Sequence, residues 1–88
     1  MLKISIISAS DQAVEFRLEG KLVGPWVEEL GRLSHEALSQ QKALSLDLER
    51  VSFVDPRGVT LLRDLARRQV SQVKCSQFVS QQLKEVGR

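Results

Sequence analysis

The sequence predicts an α/β fold, a mixed sheet of about four strands with three helices mainly on one face. Three segments alternate apolar and polar residues, as half-buried strands do. Segments of helical periodicity follow the second and the third of these strands. A strand, helix, strand order implies right-handed crossovers and parallel pairing, so the helices should gather on the apolar side of the sheet.

The first two strands are predicted at residues 2–7 and 14–19. Their apolar residues occupy every second position: Leu2, Ile4, Ile6, Val14, Phe16 and Leu18. The polar connection at residues 8–12 is short enough to make these strands an antiparallel hairpin.

The turn at residues 20–25 leads into the first predicted helix, with Gly24 as a cap and Pro25 at the first helical position. One arc of this helix is apolar and carries Trp26, Val27, Leu30, Leu33, Ala37 and Leu38. Trp26 is interpreted as a core anchor. His35 lies about opposite Trp26 and is predicted to be exposed.

The third strand, residues 43–48, alternates leucines with Ser45 and Asp47, which predicts a water-facing side. The corner at residues 52–58 follows and begins the second helix. Asp55 is predicted to be its N-cap, Pro56 fits the first position, and Gly58 allows a close backbone approach. The apolar residues behind the corner recur at helical spacing: Val59, Leu61, Leu62, Leu65 and Ala66.

After this helix frays near residues 69–72, a short strand is predicted at residues 73–75 and a last helix at residues 76–87. Cys75 is interpreted as a small core residue of that strand. Ser76 is the predicted cap of the last helix, whose apolar arc contains Phe78, Val79, Leu83 and Val86.

The composition of the chain limits the classes of function that it can have. Eighty-eight residues predict one domain, residues 1–88, and a net charge of +2 is too balanced to argue for nucleic acid without a cluster. One cysteine and one histidine predict neither a disulfide nor a metal site, and nothing predicts a cofactor. We find no secretion signal or membrane span and no nucleophile with a base in reach, so we expect a cytoplasmic protein that is not an enzyme.

At the corner the sequence resembles the STAS domain family, named for sulfate transporters and anti-sigma-factor antagonists. The resemblance rests on three segments and on Gly58 with its apolar helix: the segments are RLEGKL at 17–22, LDLERVSFVD at 46–55 and the end from Ser76 to Gly87. It implies a STAS-like fold and a role in bacterial signal transduction and transcription regulation. The implied partner is an anti-sigma-factor kinase, a signalling assembly or a component of a membrane transporter.

The family's phosphorylation switch is predicted to be absent. In that family a partner kinase phosphorylates a serine or threonine just after the aspartate, which ends binding to that partner. Pro56 and Arg57 stand where two hydroxyl residues are usual, and Arg57 at the acceptor position cannot carry a phosphoryl group. Ser52 and Thr60 are the alternative acceptors. The chain also has a shorter segment before Ser76 and lacks a final strand and helix that many members carry.

The predicted partner-binding site is the corner and a mainly basic ridge on the second helix. Arg57 in the first turn opposes the helix macrodipole at a cost of about 0.3–1 kcal/mol, which points to function. The predicted site residues are Asp55, Pro56, Arg57, Gly58, Thr60, Asp64, Arg67 and Arg68, with Arg63 at the edge of the ridge. An acidic protein partner fits this charge.

Three alternatives stay open. The Arg57 helix terminus could hold a small anion, as a carrier would. Weak nucleic-acid binding could use the basic residues Arg57, Arg63, Arg67, Arg68 and Lys74, although interleaved aromatic residues are missing. The ridge could also be a solvated face without a partner. Whether the water-facing side of the sheet forms a homodimer is a separate open question.

Overall fold

A computed structural model describes residues 2–73 of the chain. The elements are β1 (Leu2–Ala9), β2 (Ala13–Leu22), α1 (Pro25–Ser39), β3 (Ala43–Val54), α2 (Pro56–Arg67) and β4 (Ser71–Val73). The strands form one sheet in the order β1-β2-β3-β4, with β1 antiparallel to β2 and the remaining pairs parallel. This confirms the α/β class, the hairpin and the mixed sheet.

Two helices lie within residues 2–73. The third predicted helix, at 76–87, falls outside the described residues, as do Lys74 and Cys75. Neither described helix is long and apolar enough to cross a membrane.

Both helices cover the same face of the sheet. They contact each other and both pack on β3, because two successive right-handed crossovers move in one direction along the sheet. Gly31 of α1 faces Leu61 of α2. The core between the helices and the sheet contains the fully buried side chains of Leu18, Leu22, Leu30, Leu46, Leu48 and Leu62.

β3 continues six residues beyond its predicted end at Leu48. Strict alternation stops there because the next buried residues, Val51 and Val54, recur every third position. The strand accommodates this spacing with two register shifts against β2, one after Asp47 and one after Val51. Each shift adds one residue to β3, as a β-bulge does. The strand therefore carries its pairing with β2 as far as the corner.

The prediction that the second face of β3 is wet was wrong at Asp47, which is only 2% exposed. Its carboxylate accepts a hydrogen bond from Arg17 Nε at 3.4 Å and another from the backbone N–H of Glu49 at 3.1 Å. Arg17 lies directly opposite Asp47 on β2. The cross-strand pair compensates for the burial of this charge, which no alternation pattern could indicate.

The fourth strand begins earlier than predicted, at residue 71 instead of 73. α2 ends at Arg67, and Gln69 then adopts a left-handed backbone with φ of 68°. This reversal returns the chain to the sheet at once, with Val70 buried in the core. Ala66, which the sequence placed on the apolar arc, is exposed.

Asp55 joins the two loops that lead into the helices. Its Oδ1 accepts a hydrogen bond from the N–H of Gly58 at 2.7 Å, which confirms the predicted N-cap. Its Oδ2 accepts one from the N–H of Gly24 at 2.9 Å, and its own N–H donates to the carbonyl of Leu22 at 3.1 Å. Gly24, with φ of 55°, is the residue that precedes α1. One carboxylate therefore holds the starts of α1 and α2 side by side.

Gly58 is buried where α2 crosses the ends of β2 and β3. A Cβ at this position would lie 2.6 Å from Cγ1 of Val54 and 3.1 Å from the carbonyl oxygen of Leu22. The predicted close backbone approach is thus present, and it sets the distance between α2 and the sheet.

Replacing Asp55 by Ala should lower the free energy of unfolding by about 2–4 kcal/mol, because two N–H groups lose a charged acceptor. The free energy of unfolding of Asp55→Asn should lie between those of the wild type and Asp55→Ala, since its one carbonyl oxygen can accept well from only one of the two donors. Urea denaturation measures both variants. Asp64→Ala, which removes an exposed carboxylate whose one ion pair within residues 2–73 is with Arg68 at 3.7 Å, is the control and should change stability by at most about 1 kcal/mol. Equal effects at the two positions would contradict the bridging role of Asp55.

Gly58→Ala should destabilise the fold by about 1–3 kcal/mol, because the added methyl group overlaps Val54 and the backbone of β2. Gly31→Ala is the matched control. There the new Cβ meets only Leu61 side-chain atoms at 3.7 Å or more, and helix propensity favours alanine by up to about 1 kcal/mol. Thermal unfolding of the two variants should therefore shift in opposite directions; a stable Gly58→Ala protein would show that the close approach is not required.

Candidate functional site

An open groove of about 470 Å³ lies between α1 and α2. Val27 in the first turn of α1 and Leu61 of α2 supply its apolar surface. The other lining residues are polar or charged and all belong to α2: Arg57, Thr60, Arg63, Asp64 and Arg67. The groove therefore combines an apolar floor with a mainly basic border.

Four of these residues form one stripe along α2. Arg57, Thr60, Asp64 and Arg67 are spaced three, four and three positions apart, which places them on the same side of a helix. The stripe extends about 15 Å at a rise of 1.5 Å per residue. This length suits a contact with two or three turns of a partner helix or with a short extended segment.

Arg57 connects the two helices at the mouth of the groove. Its Nη2 lies 3.3 Å from Oε1 of Glu28 on α1, and the two side chains are 66% and 70% exposed. An ion pair this exposed contributes between 0 and about 1 kcal/mol. The Arg57 guanidinium can therefore exchange Glu28 for a carboxylate of a partner at little cost.

The remaining polar groups of the stripe are held more locally. The Thr60 hydroxyl donates to the carbonyl of Pro56 at 3.1 Å, and Asp64 pairs with Arg68 at 3.7 Å. Within residues 2–73 no ion pair involves Arg67. Arg67 and Arg57 thus place exposed cations at the two ends of the stripe.

The predicted site residues either line the groove, lie exposed near it, or hold the corner in place. Arg57, Thr60, Asp64 and Arg67 line the groove together, and Arg63 lines it as well. Pro56 is exposed at the corner and Arg68 is exposed beside Asp64.

Asp55 and Gly58 have structural roles instead. Both carboxylate oxygens of Asp55 accept backbone hydrogen bonds, and Gly58 is buried under the corner. They position the first turn of α2, which carries Arg57. Glu28, Val27 and Leu61 were not among the predicted site residues. A helical wheel assigns Val27 and Leu61 to the core, and it cannot show that they border a groove between two helices.

The helix terminus offers a small anion fewer donors than the sequence suggested. Pro56 has no N–H, the N–H of Gly58 is bound to the Asp55 side chain, and that of Val59 donates to the Asp55 carbonyl. The Asp55 carboxylate is itself an anion at this point. These contacts count against an anion site built on the N-terminus of α2.

Two other predictions can be placed. His35 is exposed, as predicted, and Trp26 packs against the core while keeping part of its surface accessible. Among residues 2–73 no three acidic, histidine or cysteine side chains come together as metal ligands would.

No family model matches the chain, and no curated protein matches it significantly. Solved structures do. The fold is similar to that of the anti-sigma-factor antagonist SpoIIAA in its unphosphorylated form, with a TM-score of 0.61 and 25% identity over 74% of this chain and 61% of that one. The match thus spans less than two thirds of SpoIIAA.

Two further structures share the fold at lower identity. One is an uncharacterized protein of the DUF3478 family with a SpoIIAA-like fold from Shewanella loihica, with a TM-score of 0.58 and 17% identity over 88% of this chain and 69% of that one. The other, Mglu, has a TM-score of 0.60 and 21% identity over 77% of this chain and 18% of that one.

The antiparallel hairpin followed by parallel strands, the two helices on one face and the likeness to SpoIIAA agree with the resemblance found in the sequence. Residues 2–73 therefore have a STAS-like fold.

Proposed function

We propose that this chain is a non-catalytic protein-interaction module that binds an acidic regulatory partner in the groove between α1 and α2. The observation that carries the proposal is the lining of the groove, where Arg57, Arg63 and Arg67 surround an apolar floor of Val27 and Leu61. SpoIIAA, whose fold is similar, is an antagonist of an anti-sigma factor. That similarity supports a protein as the partner.

The groove has the two features that a protein contact needs. An apolar floor gains free energy when a partner side chain excludes water from it. Arginine guanidinium groups bind carboxylates through paired, charge-assisted hydrogen bonds, which add specificity. A partner segment with one apolar side chain and carboxylates about two to three helical turns apart would satisfy both.

Arg57 is proposed to fix the module in one binding state. At the position where the resemblance implies a phosphorylatable hydroxyl, this chain carries a permanent positive charge. Phosphorylation would add negative charge at this position, whereas Arg57 supplies a positive charge that no phosphoryl group replaces. Binding would then be controlled by the abundance of the two proteins or by a competing partner.

The proposal includes residues 1–88 as one domain acting in the cytoplasm. The partner would be an anti-sigma-factor kinase-like protein, a signalling assembly or the cytoplasmic part of a transporter. The anion-carrier alternative has less support, because Asp55 occupies the helix terminus that it requires.

Exchanging Arg57 for Glu is expected to weaken partner binding at least about tenfold, because one attraction to an acidic segment becomes a repulsion. The melting temperature should stay nearly constant. The lost pair with Glu28 is exposed, and an acidic residue in the first turn favours the helix dipole. Affinity capture from native extract followed by titration calorimetry with the captured partner measures the effect.

Lys3→Glu is the matched control for that experiment. It makes the same change of charge on exposed β1, outside the groove lining, and should leave the affinity unchanged. Equal affinities for wild type and Arg57→Glu would reject the groove as the binding site. An equal loss in both variants would point to net charge alone.

The chain isolated from its native cells is expected to carry no phosphate, since the acceptor position is occupied by Arg57. Intact-mass and peptide mass spectrometry test this. Ser52, whose hydroxyl donates to the carbonyl of Gly20 at 3.2 Å, and Thr60 are the exposed hydroxyls to inspect. Stoichiometric phosphate on either would contradict a module fixed in one state.

A further inference from the structure

β1 forms one edge of the sheet, and no strand within residues 2–73 pairs with its outer side. Natural proteins protect such an edge with charges, proline, bulges or a very short strand. β1 has eight residues, no proline and a single charged residue, Lys3. Its bulge lies late in the strand, between Ile6 and Ser8, so the first five residues form a regular edge. This edge can accept another strand through backbone hydrogen bonds.

Two apolar side chains are exposed on this edge strand. Ile6 is 66% exposed and Ile7 is 40% exposed. The alternation of β1 placed Ile6 on the apolar face of the strand, and in the structure it lies opposite the buried Phe16. It stays exposed because α1 covers the neighbouring strands and leaves a groove of about 140 Å³ between Ile6 and the helix residues Leu33 and Ala37. An exposed isoleucine beside an apolar groove is typical of a surface that contacts another protein.

We propose that β1 pairs antiparallel with β1 of a second copy of this chain, giving a two-fold symmetric dimer with a continuous sheet. In a register centred on Ser5, Ile4 of each copy lies opposite Ile6 of the other. The exposed Ile6 of each copy then gains an apolar neighbour on the face that the helices cover. The contact is isologous and closes with two chains, so it does not propagate into fibres.

Charge and symmetry favour a second copy over an unrelated strand. In this register the two copies of Lys3 are four residue positions, or about 14 Å, apart along the strands, so no like charges meet. The groove beside Ile6 is bordered by Glu36 and Lys42. Each copy therefore offers both signs of charge to the other, as a self-complementary contact requires. The two-fold axis also keeps all helices on one side of the joined sheet.

Sedimentation velocity between about 10 μM and 1 mM tests the dimer, because one short edge strand forms a small and weak interface. The wild type should change from monomer to dimer over this range. Ile6→Lys should raise the dissociation constant at least about tenfold, and because Ile6 is already largely exposed the monomer should fold normally, as circular dichroism can verify. Phe53→Lys is the matched control, at another exposed apolar residue outside β1, and should dimerise like the wild type.

A cross-link tests the register. In a Cys75→Ser background, Ser5→Cys places two thiols directly opposite each other at the proposed axis, so mild oxidation should yield a covalent dimer. Ser52→Cys, an exposed position on β3, should yield little. A wild type that stays monomeric at 1 mM, an unaffected Ile6→Lys dimer, or equal cross-linking at both positions would overturn the proposal. Arg57→Glu should dimerise normally, so this result is independent of partner binding.

Discussion

The arrangement of the helices depends on the Asp55 carboxylate. Two crossovers begin near one end of the sheet, and each leaves a backbone N–H at the start of a helix that needs an acceptor. Asp55 supplies both, one oxygen to Gly24 before α1 and one to Gly58 in α2. Its own N–H is bound to Leu22 of β2, so the corner is tied to the sheet as well. The groove between the helices exists because these starts are held side by side.

Because of this constraint, the residues of the corner have different roles. Asp55 and Gly58 satisfy the backbone and allow close packing, so neither offers a free group to a partner. Arg57 lies between them in sequence, and its side chain points away from the core, 66% exposed, towards Glu28. The corner is thus rigid in its backbone and adaptable in its charges. Such a combination suits binding, since the cation is positioned before a partner arrives and releases only a weak surface ion pair.

The central strand β3 and the edge strand β1 differ in how completely they are paired. β3 contacts strands on both sides and uses two register shifts to keep Leu48, Val51 and Val54 buried while it reaches the corner. β1 has a neighbour on one side only among the described strands, and its Ile6 and Ile7 stay exposed. The corner and the β1 edge lie on different elements, so the proposed partner binding and the proposed self-association use separate surfaces.

The sequence by itself determined the order of β1, β2, α1, β3 and α2, the cap at Asp55 and the basic stripe on α2, because alternation, helical periodicity and capping are local properties. It did not determine where β3 ends, since a spacing of three becomes a strand only when β2 imposes bulges. The burial of Asp47 and Ser34, both at most 2% exposed, and the exposure of Ile6 depend on neighbours distant in sequence. The groove likewise required the tertiary structure, because Val27 and Leu61 belong to different helices, and only their packing leaves both beside the arginines.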